Sequence, residues 1–141
     1  MPSPLMHASD EAGRWPGRLV LIADDSLDAR EVYAAYLSYA GFGVYTAPDG
    51  EAAVNIAIQV RPDIIVMDLS MPKLDGVAAT ERLKKHPNTR HIPVIMLTGF
   101  ALGTVEQDAL RAGVDLFLTK PCLPEVLEEH VRRRLKAPGT A

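Results

Sequence analysis

From Arg18 onward the chain alternates between short apolar runs and longer amphipathic stretches. Four of the apolar runs contain almost no polar residue, which is typical of parallel β-strands that are covered on both faces. A fifth run, residues 43–47, is more mixed and predicts an edge strand. The predicted strands are LVLIA (19–23), GVYTA (43–47), IIVM (64–67), PVIML (93–97) and LFLT (116–119).

The stretches between these runs carry start and stop signals for helices. Gly41 and Gly113 follow two of them, as glycine often does at a helix end, while Thr104 and Gln107 have capping-box spacing. The predicted helices cover 26–40, 49–61, 76–85, 104–112 and 124–136. Five alternations of strand and helix predict one doubly wound α/β domain with a five-stranded parallel sheet and five helices.

Composition narrows the class of protein. The 141 residues suffice for one domain, and the net charge of −3 gives no overall basic field for nucleic acid or an anionic membrane. The single cysteine excludes an internal disulfide and suits a reducing compartment. The apolar runs are too short to cross a bilayer, and residues 1–17 lack the apolar core of a signal peptide. We therefore expect a cytoplasmic protein with a flexible tail over residues 1–17.

Polar side chains stand at the ends of the predicted strands. Asp24 and Asp25 follow the first strand, Asp68 the third, Thr98 the fourth and Lys120 the fifth. Each has an ordinary structural alternative: Asp25 as the cap of the following helix, Asp68 as a loop carboxylate, Thr98 as a strand end and Lys120 as a solvated lysine. In a doubly wound sheet, however, ligands bind beyond the carboxyl ends of the strands. The five side chains are therefore candidates for one common site.

The residue types in this group favour phosphoryl transfer. Three carboxylates brought together need a cation, and an oxygen-seeking ion such as Mg²⁺ suits them, whereas the absence of His and Cys argues against zinc. A hydroxyl and an ammonium group can hold the remaining phosphoryl oxygens. Asp68 is then predicted to be the nucleophile that forms an acyl phosphate.

Four motifs resemble those of the receiver domains of two-component response regulators. They are ADDS (23–26), VMDLSMPKLDG (66–76), IMLTG (95–99) and FLTKP (117–121). In order and spacing they extend the resemblance over residues 18–136, which leaves 137–141 as a short C-terminal tail. The resemblance implies a flavodoxin-like fold with sheet order 2-1-3-4-5 and identifies Asp68 as the phosphoacceptor.

The resemblance also implies a metal-binding set. Asp25 would bind Mg²⁺ directly and Asp24 through water, Asp68 would be a further ligand, and the backbone carbonyl of Ser70 would complete the protein ligands. Mn²⁺ is the expected substitute ion.

A switch is implied by the same resemblance. Thr98 would move to the phosphoryl group, Phe117 would follow as the aromatic switch residue, and Lys120 would pair with the phosphoryl oxygens. The bond between Lys120 and Pro121 is expected to be cis, a state largely restricted to X-Pro. The bulky side chain of Phe100 and the small one of Ser70 flank the path of the attacking water in this family. We expect Phe100 to shield the acyl phosphate and lengthen its lifetime.

The partners follow from the family. The donor would be a sensor histidine kinase or a histidine phosphotransfer protein, and an unknown downstream protein would read the surface of the fourth helix, fifth strand and fifth helix. Self-association through that surface is a further expectation. The basic run at 132–134 follows three glutamates, as the helix dipole favours on a solvated face, so no direct contact with nucleic acid is expected. Because only one helix and a tail follow Lys120, we expect a stand-alone receiver that catalyses only its own phosphorylation and dephosphorylation.

Two alternatives use similar residues. A haloacid dehalogenase-type phosphohydrolase places its nucleophilic aspartate near the start of the chain, with an acid two residues later. Here the acidic pair comes first, and Ser70 stands two residues after Asp68. A degenerate receiver that never accepts phosphate is the other alternative, and the presence of Asp68, Thr98 and Lys120 argues against it.

Overall fold

A computed structural model of the protein describes residues 18–99 and 103–135. Their five strands form one parallel sheet in the order β2-β1-β3-β4-β5, which confirms the predicted fold. The strands are β1 (Leu19–Ala23), β2 (Gly43–Ala47), β3 (Ile64–Asp68), β4 (Val94–Thr98) and β5 (Leu116–Thr119).

Five helices cover the two faces of the sheet. They are α1 (Leu27–Tyr39), α2 (Gly50–Val60), α3 (Gly76–Lys85), α4 (Gly103–Ala112) and α5 (Pro124–Leu135). Buried side chains of α1 and α5 form a core on one face, and those of α2, α3 and α4 form a second core on the other. Within β1, Val20 and Ile22 belong to the first core, whereas Leu21 and Ala23 belong to the second. This two-sided burial explains why the central strands have no polar face.

The first helix begins one residue later than expected. Ser26 is its N-cap, and its hydroxyl accepts a hydrogen bond from the backbone N–H of Ala29 at 3.2 Å. The capping role considered for Asp25 is therefore wrong, because the neighbouring hydroxyl already accepts from the first turn. Asp25 is exposed, so its carboxylate is accessible to a ligand.

Two other details differ from the sequence prediction. Helix α4 begins at Gly103, so Thr104 lies inside its first turn and is not its N-cap. Strand β5 was expected to be covered on both faces, but its residues are half-buried or exposed. It lies at one edge of the sheet and pairs with β4 alone, whereas the other edge strand, β2, is mostly buried. Among residues 18–99 and 103–135, no helix has the length and apolar character that a bilayer span requires.

Candidate functional site

The parallel register brings three aspartates to one edge of the sheet. Ala23 pairs with Met67, and Asp68 ends β3 directly after it, level with Asp24. One carboxylate oxygen from each of Asp24, Asp25 and Asp68 can be chosen so that all lie within 4.8 Å of one another. Asp24 and Asp68 are buried, whereas Asp25 is exposed. The structure thus assembles all three predicted carboxylates into one cluster that opens to solvent at Asp25.

Asp24 is held by groups from three parts of the chain. Its Oδ1 accepts from the backbone N–H of Ser26 at 2.9 Å, and its Oδ2 accepts from Lys120 Nζ at 2.9 Å. Its backbone carbonyl accepts from Arg30 Nη1 at 2.8 Å. These bonds fix the carboxylate where β1 ends and α1 begins.

The Asp68 carboxylate binds a proton more tightly than an ordinary aspartate does. Burial, and after it the negative charge of Asp24, raise the pKa of Asp68 from 3.8 to about 6, with a smaller contribution from Asp25. The ammonium of Lys120, 3.7 Å from Asp68 Oδ1, acts in the opposite direction without cancelling the rise. The ionised carboxylate is therefore under-compensated by the protein alone, as a cation-binding group should be.

Lys120 connects the last strand to this cluster. Its backbone N–H donates to the carbonyl of Thr98 at 2.7 Å, and its bond to Pro121 is cis, as expected. Burial alone would lower the pKa of the Lys120 ammonium, but the hydrogen bond to Asp24 and the charge of Asp68 outweigh it and raise that pKa. The ammonium therefore stays charged next to both carboxylates.

The other predicted site residues lie on strands and loops near the carboxylate cluster. Thr98 ends β4 and is buried, one residue beyond the position that pairs with Asp68. Ser70 is exposed and lines a cavity of about 430 Å³ together with Leu69 and residues of α3 and α4. Phe117 packs, half-buried, against the core on the α4 side of the sheet. Phe100 lies outside the described residues.

A close approach of two backbones shapes the segment after Asp68. The N–H of Gly76 donates to the carbonyl of Leu69 at 2.8 Å, and a Cβ on Gly76 would collide with the carbonyl of Asp68. Before it, the N–H of Leu74 donates to the carbonyl of Pro72 at 2.7 Å around Lys73, whose φ is 68°. The glycine therefore lets α3 begin directly against the phosphoacceptor candidate.

The donor set fits a hard divalent cation. Within the described part of the chain, Asp24, Asp25 and Asp68 are the one group of three or more His, Cys, Asp or Glu side chains close enough to share an ion. All three donors are carboxylate oxygens, the ligand type that Mg²⁺ prefers, and the exposed edge leaves room for water or phosphate oxygens. The chemistry of the donors thus agrees with magnesium and not with zinc.

Comparison with known proteins assigns the chain to a family. Residues 20–132 match the sequence model of the response regulator receiver domain. The chain belongs to this family. It is thereby a phospho-accepting receiver of two-component signalling, and the haloacid dehalogenase alternative is set aside.

Solved receiver structures superpose closely on this one. Chemotaxis protein CheY4 of Vibrio cholerae has a TM-score of 0.78 and 31% identity over 82% of this chain and 97% of its own. The receiver domain of sensor histidine kinase PA1611 from Pseudomonas aeruginosa PAO1 has a TM-score of 0.80 and 33% identity over 86% of this chain and 99% of its own. That structure is described with a magnesium ion coordinated in the active site cleft. Receiver domains thus bind Mg²⁺ at an acidic site of the kind found here.

Curated relatives are longer regulators. The probable transcriptional regulator ycf27 of Guillardia theta is 39% identical over 124 residues, which are 86% of this chain and 47% of that protein. The DNA-binding regulator RpaA of Synechocystis is 38% identical over 120 residues, 83% of this chain and 48% of that protein. This receiver therefore spans about half the length of the curated relatives it matches.

Two residues of α1 that sequence reasoning missed also contact the receiver site. Arg30 holds the backbone of Asp24, and Tyr33 Oη donates to the backbone carbonyl of Cys122 at 2.7 Å, two residues after Lys120. A tyrosine on the buried stripe of a helix needs a hydrogen-bond partner for its hydroxyl, and this need was the one sign in the sequence that Tyr33 makes a long-range contact. The sequence could not say which carbonyl that partner is.

Proposed function

We propose that Asp68 accepts a phosphoryl group from a phosphohistidine donor, which is a sensor histidine kinase or a histidine phosphotransfer protein. The observation that carries the proposal is the position of Asp68 at the end of β3, within the carboxylate cluster and 3.7 Å from Lys120 Nζ. Asp24 shares the burial, the ammonium and the neighbouring acids, but both of its carboxylate oxygens already accept hydrogen bonds, one from the N–H of Ser26 and one from Lys120 Nζ. The family to which the chain belongs supports the same role.

In the reaction, a carboxylate oxygen of Asp68 attacks phosphorus while the bond from phosphorus to the donor's histidine nitrogen breaks. The electron pair of the broken bond returns to that nitrogen, and Asp68 becomes an acyl phosphate. The ammonium of Lys120 neutralises charge on one phosphoryl oxygen, and the hydroxyl of Thr98 donates a hydrogen bond to another. Because Lys120 already lies between Asp24 and Asp68, it needs little movement to reach the transferred group.

Asp24, Asp25, Asp68 and the backbone carbonyl of Ser70 are the residues that would hold the ion. Mg²⁺, when bound, supplies positive charge to the carboxylates and to the phosphoryl oxygens. The same oxygen donors would accept Mn²⁺. With one ion and Lys120 present, the charges that raise the pKa of Asp68 are balanced, and its carboxylate is available at neutral pH.

Phosphorylation would then be read on the surface of α4, β5 and α5. Thr98 and Phe117 would transmit the change, since one ends β4 and the other packs beside α4 from β5. Ser70 and Phe100 would set the lifetime of the acyl phosphate. The protein would catalyse only its own phosphorylation and dephosphorylation, with a downstream protein or a second copy as the reader of that surface. Since RpaA is a DNA-binding regulator, the absence of direct contact with nucleic acid stays a prediction for this chain.

Incubation with a small phosphodonor and Mg²⁺ tests the proposal. We expect the intact mass to rise by one phosphoryl group and peptide mapping to place it on Asp68. Asp68→Asn should remove the label, whereas Asp108→Asn, which changes an exposed carboxylate on α4, should keep it. Label on the Asp68→Asn variant at the wild-type rate contradicts the proposal. Continuous release of phosphate in excess of protein would instead indicate a phosphohydrolase.

A further inference from the structure

Tyr33 connects α1 to the segment that carries Lys120. Tyr33 is 8% exposed, and its ring packs in the core between the sheet and helices α1 and α5. Its hydroxyl donates to the backbone carbonyl of Cys122 at 2.7 Å across 89 residues of chain. The bond therefore joins the first helix to the loop that follows the last strand.

The backbone around Lys120 is anchored on both sides. Before the side chain, the N–H of Lys120 donates to the carbonyl of Thr98 at 2.7 Å. After it, the carbonyl of Cys122 accepts from Tyr33. A flexible lysine side chain can be aimed accurately only when the backbone beneath it is fixed, and these two bonds hold that backbone at Lys120 and two residues after it.

Helix α1 also holds the partner of Lys120. Arg30, one turn before Tyr33, donates from Nη1 to the carbonyl of Asp24 at 2.8 Å. Helix α1 thus contacts both the backbone of Asp24 and the backbone of the segment after Lys120. The side chains of Asp24 and Lys120 are themselves joined by a hydrogen bond of 2.9 Å.

We propose that Tyr33 is a positioning residue, whose hydroxyl fixes residues 120–122 so that the Lys120 ammonium stays on Asp24 and Asp68. The inference rests on the proposed function, in which Lys120 stabilises the transferred phosphoryl group. Burial raises the pKa of the Tyr33 hydroxyl above its ordinary value of 10.0, so the hydroxyl remains a donor at neutral pH. Tyr33 acts on the reaction through Lys120 and does not contact the phosphoryl group.

Tyr33→Phe is the decisive variant, because it removes one oxygen and keeps the ring in the core. The rate of Asp68 phosphorylation by a small phosphodonor is measured at saturating Mg²⁺. We expect it to fall about tenfold, as small misplacements of reacting groups do. Mg²⁺ affinity, measured by titration calorimetry, should stay at the wild-type value. The matched control is Tyr36→Phe, at the next tyrosine of α1, which is half-buried; this variant should phosphorylate at the wild-type rate.

A double-mutant cycle separates positioning from general loosening of the fold. In a Lys120→Gln background, Tyr33→Phe should slow phosphorylation no further, because the group that it positions is gone. An equal slowing in both backgrounds, or a wild-type rate for Tyr33→Phe alone, overturns the inference. Loss of Mg²⁺ affinity in Tyr33→Phe overturns it too, since the defect would then lie in the carboxylate cluster. Failure of the proposed function is distinct, because wild type itself would then carry no label on Asp68.

Discussion

Lys120 Nζ lies 2.9 Å from Asp24 Oδ2 and 3.7 Å from Asp68 Oδ1, so one ammonium lies between two buried carboxylates. The shorter contact is to the more buried of the two acids, which is 2% exposed against 7% for Asp68. Asp68 therefore receives the weaker compensation, which agrees with its raised pKa. The acid proposed to react is the one that the protein leaves less neutralised.

Lys120→Met should destabilise the fold in metal-free buffer at pH 7. It leaves Asp24 and Asp68 without their cation, and we expect the free energy of unfolding to fall by about 1 to 2 kcal/mol, less than for a fully buried pair because the lysine is partly exposed. Urea denaturation with a chelator present measures it. Lys73→Met, which removes a 64% exposed ammonium 3.9 Å from Asp49, should change stability by less than about 0.5 kcal/mol. Equal losses in the two variants contradict this expectation.

Asp68→Asn should stabilise the metal-free protein above pH 6 and not at low pH. The folded pKa of about 6 exceeds the ordinary value of 3.8, so the folded state keeps the proton longer than the unfolded chain. The wild type loses stability as pH rises from about 4 through the folded pKa, and the loss is complete about one pH unit above 6. We expect Asp68→Asn to gain about 1 to 3 kcal/mol at pH 7.5 and nothing below the ordinary pKa.

Urea denaturation of both proteins at pH 3.5 and at pH 7.5, with a chelator, checks the pH dependence of that gain. A gain of equal size at the two pH values would mean that asparagine packs better than aspartate, and charge would not be the cause. Asp108→Asn, at an exposed carboxylate, serves as the control and should show no such dependence.

Mg²⁺ should stabilise the wild-type fold through the three carboxylates. An ion that binds only the folded state at ten times its Kd adds about 1.4 kcal/mol to the free energy of unfolding, and a chelator should reverse the gain. Asp25→Asn should lose most of this increase, because it removes the exposed member of the cluster. Asp28→Asn, at an exposed carboxylate in the first turn of α1, should keep it. Thermal or urea unfolding with and without the ion provides the measurement, and a full Mg²⁺ response in Asp25→Asn would exclude Asp25 as a ligand.

Gly76→Ala should damage both stability and phosphorylation. Its Cβ would collide with the carbonyl of Asp68, so either α3 or the end of β3 must shift, and we expect a loss of about 2 kcal/mol. Gly103→Ala is the matched control, because its Cβ meets nothing within 4 Å and alanine favours the helix. Urea denaturation and the rate of label uptake from a phosphodonor measure both effects. A Gly76→Ala protein that equals wild type in both would contradict the close approach.

The strand pattern and the polar residues at strand ends could be predicted from the sequence because both are local. Residues 19–23 and 64–67 are apolar throughout since both of their faces are covered, and this burial leaves a direct trace in the residue types. The next residue along each of these runs is an aspartate, and the parallel sheet order then brings Asp24 and Asp68 together.

Contacts that depend on the packing of distant elements could not be predicted in this way. The bond from Tyr33 to Cys122 depends on how α1 lies against the loop after β5, which no periodicity records. The same limit applies to β5: LFLT is as apolar as a central strand, yet it lies at an edge of the sheet and is half-exposed. The choice of Ser26 over Asp25 as the cap was a competition between adjacent residues of similar preference.

Because β5 lies at the edge of the sheet, it can be displaced more easily than a central strand. Strand β3 has a neighbour on each side and buried side chains throughout, so displacing it would break two ladders at once. Displacing β5 breaks one ladder, and its residues are already half-buried or exposed. Strand β5 should therefore open more readily than β3, so backbone amides of β5 should exchange their hydrogens well before those of β3.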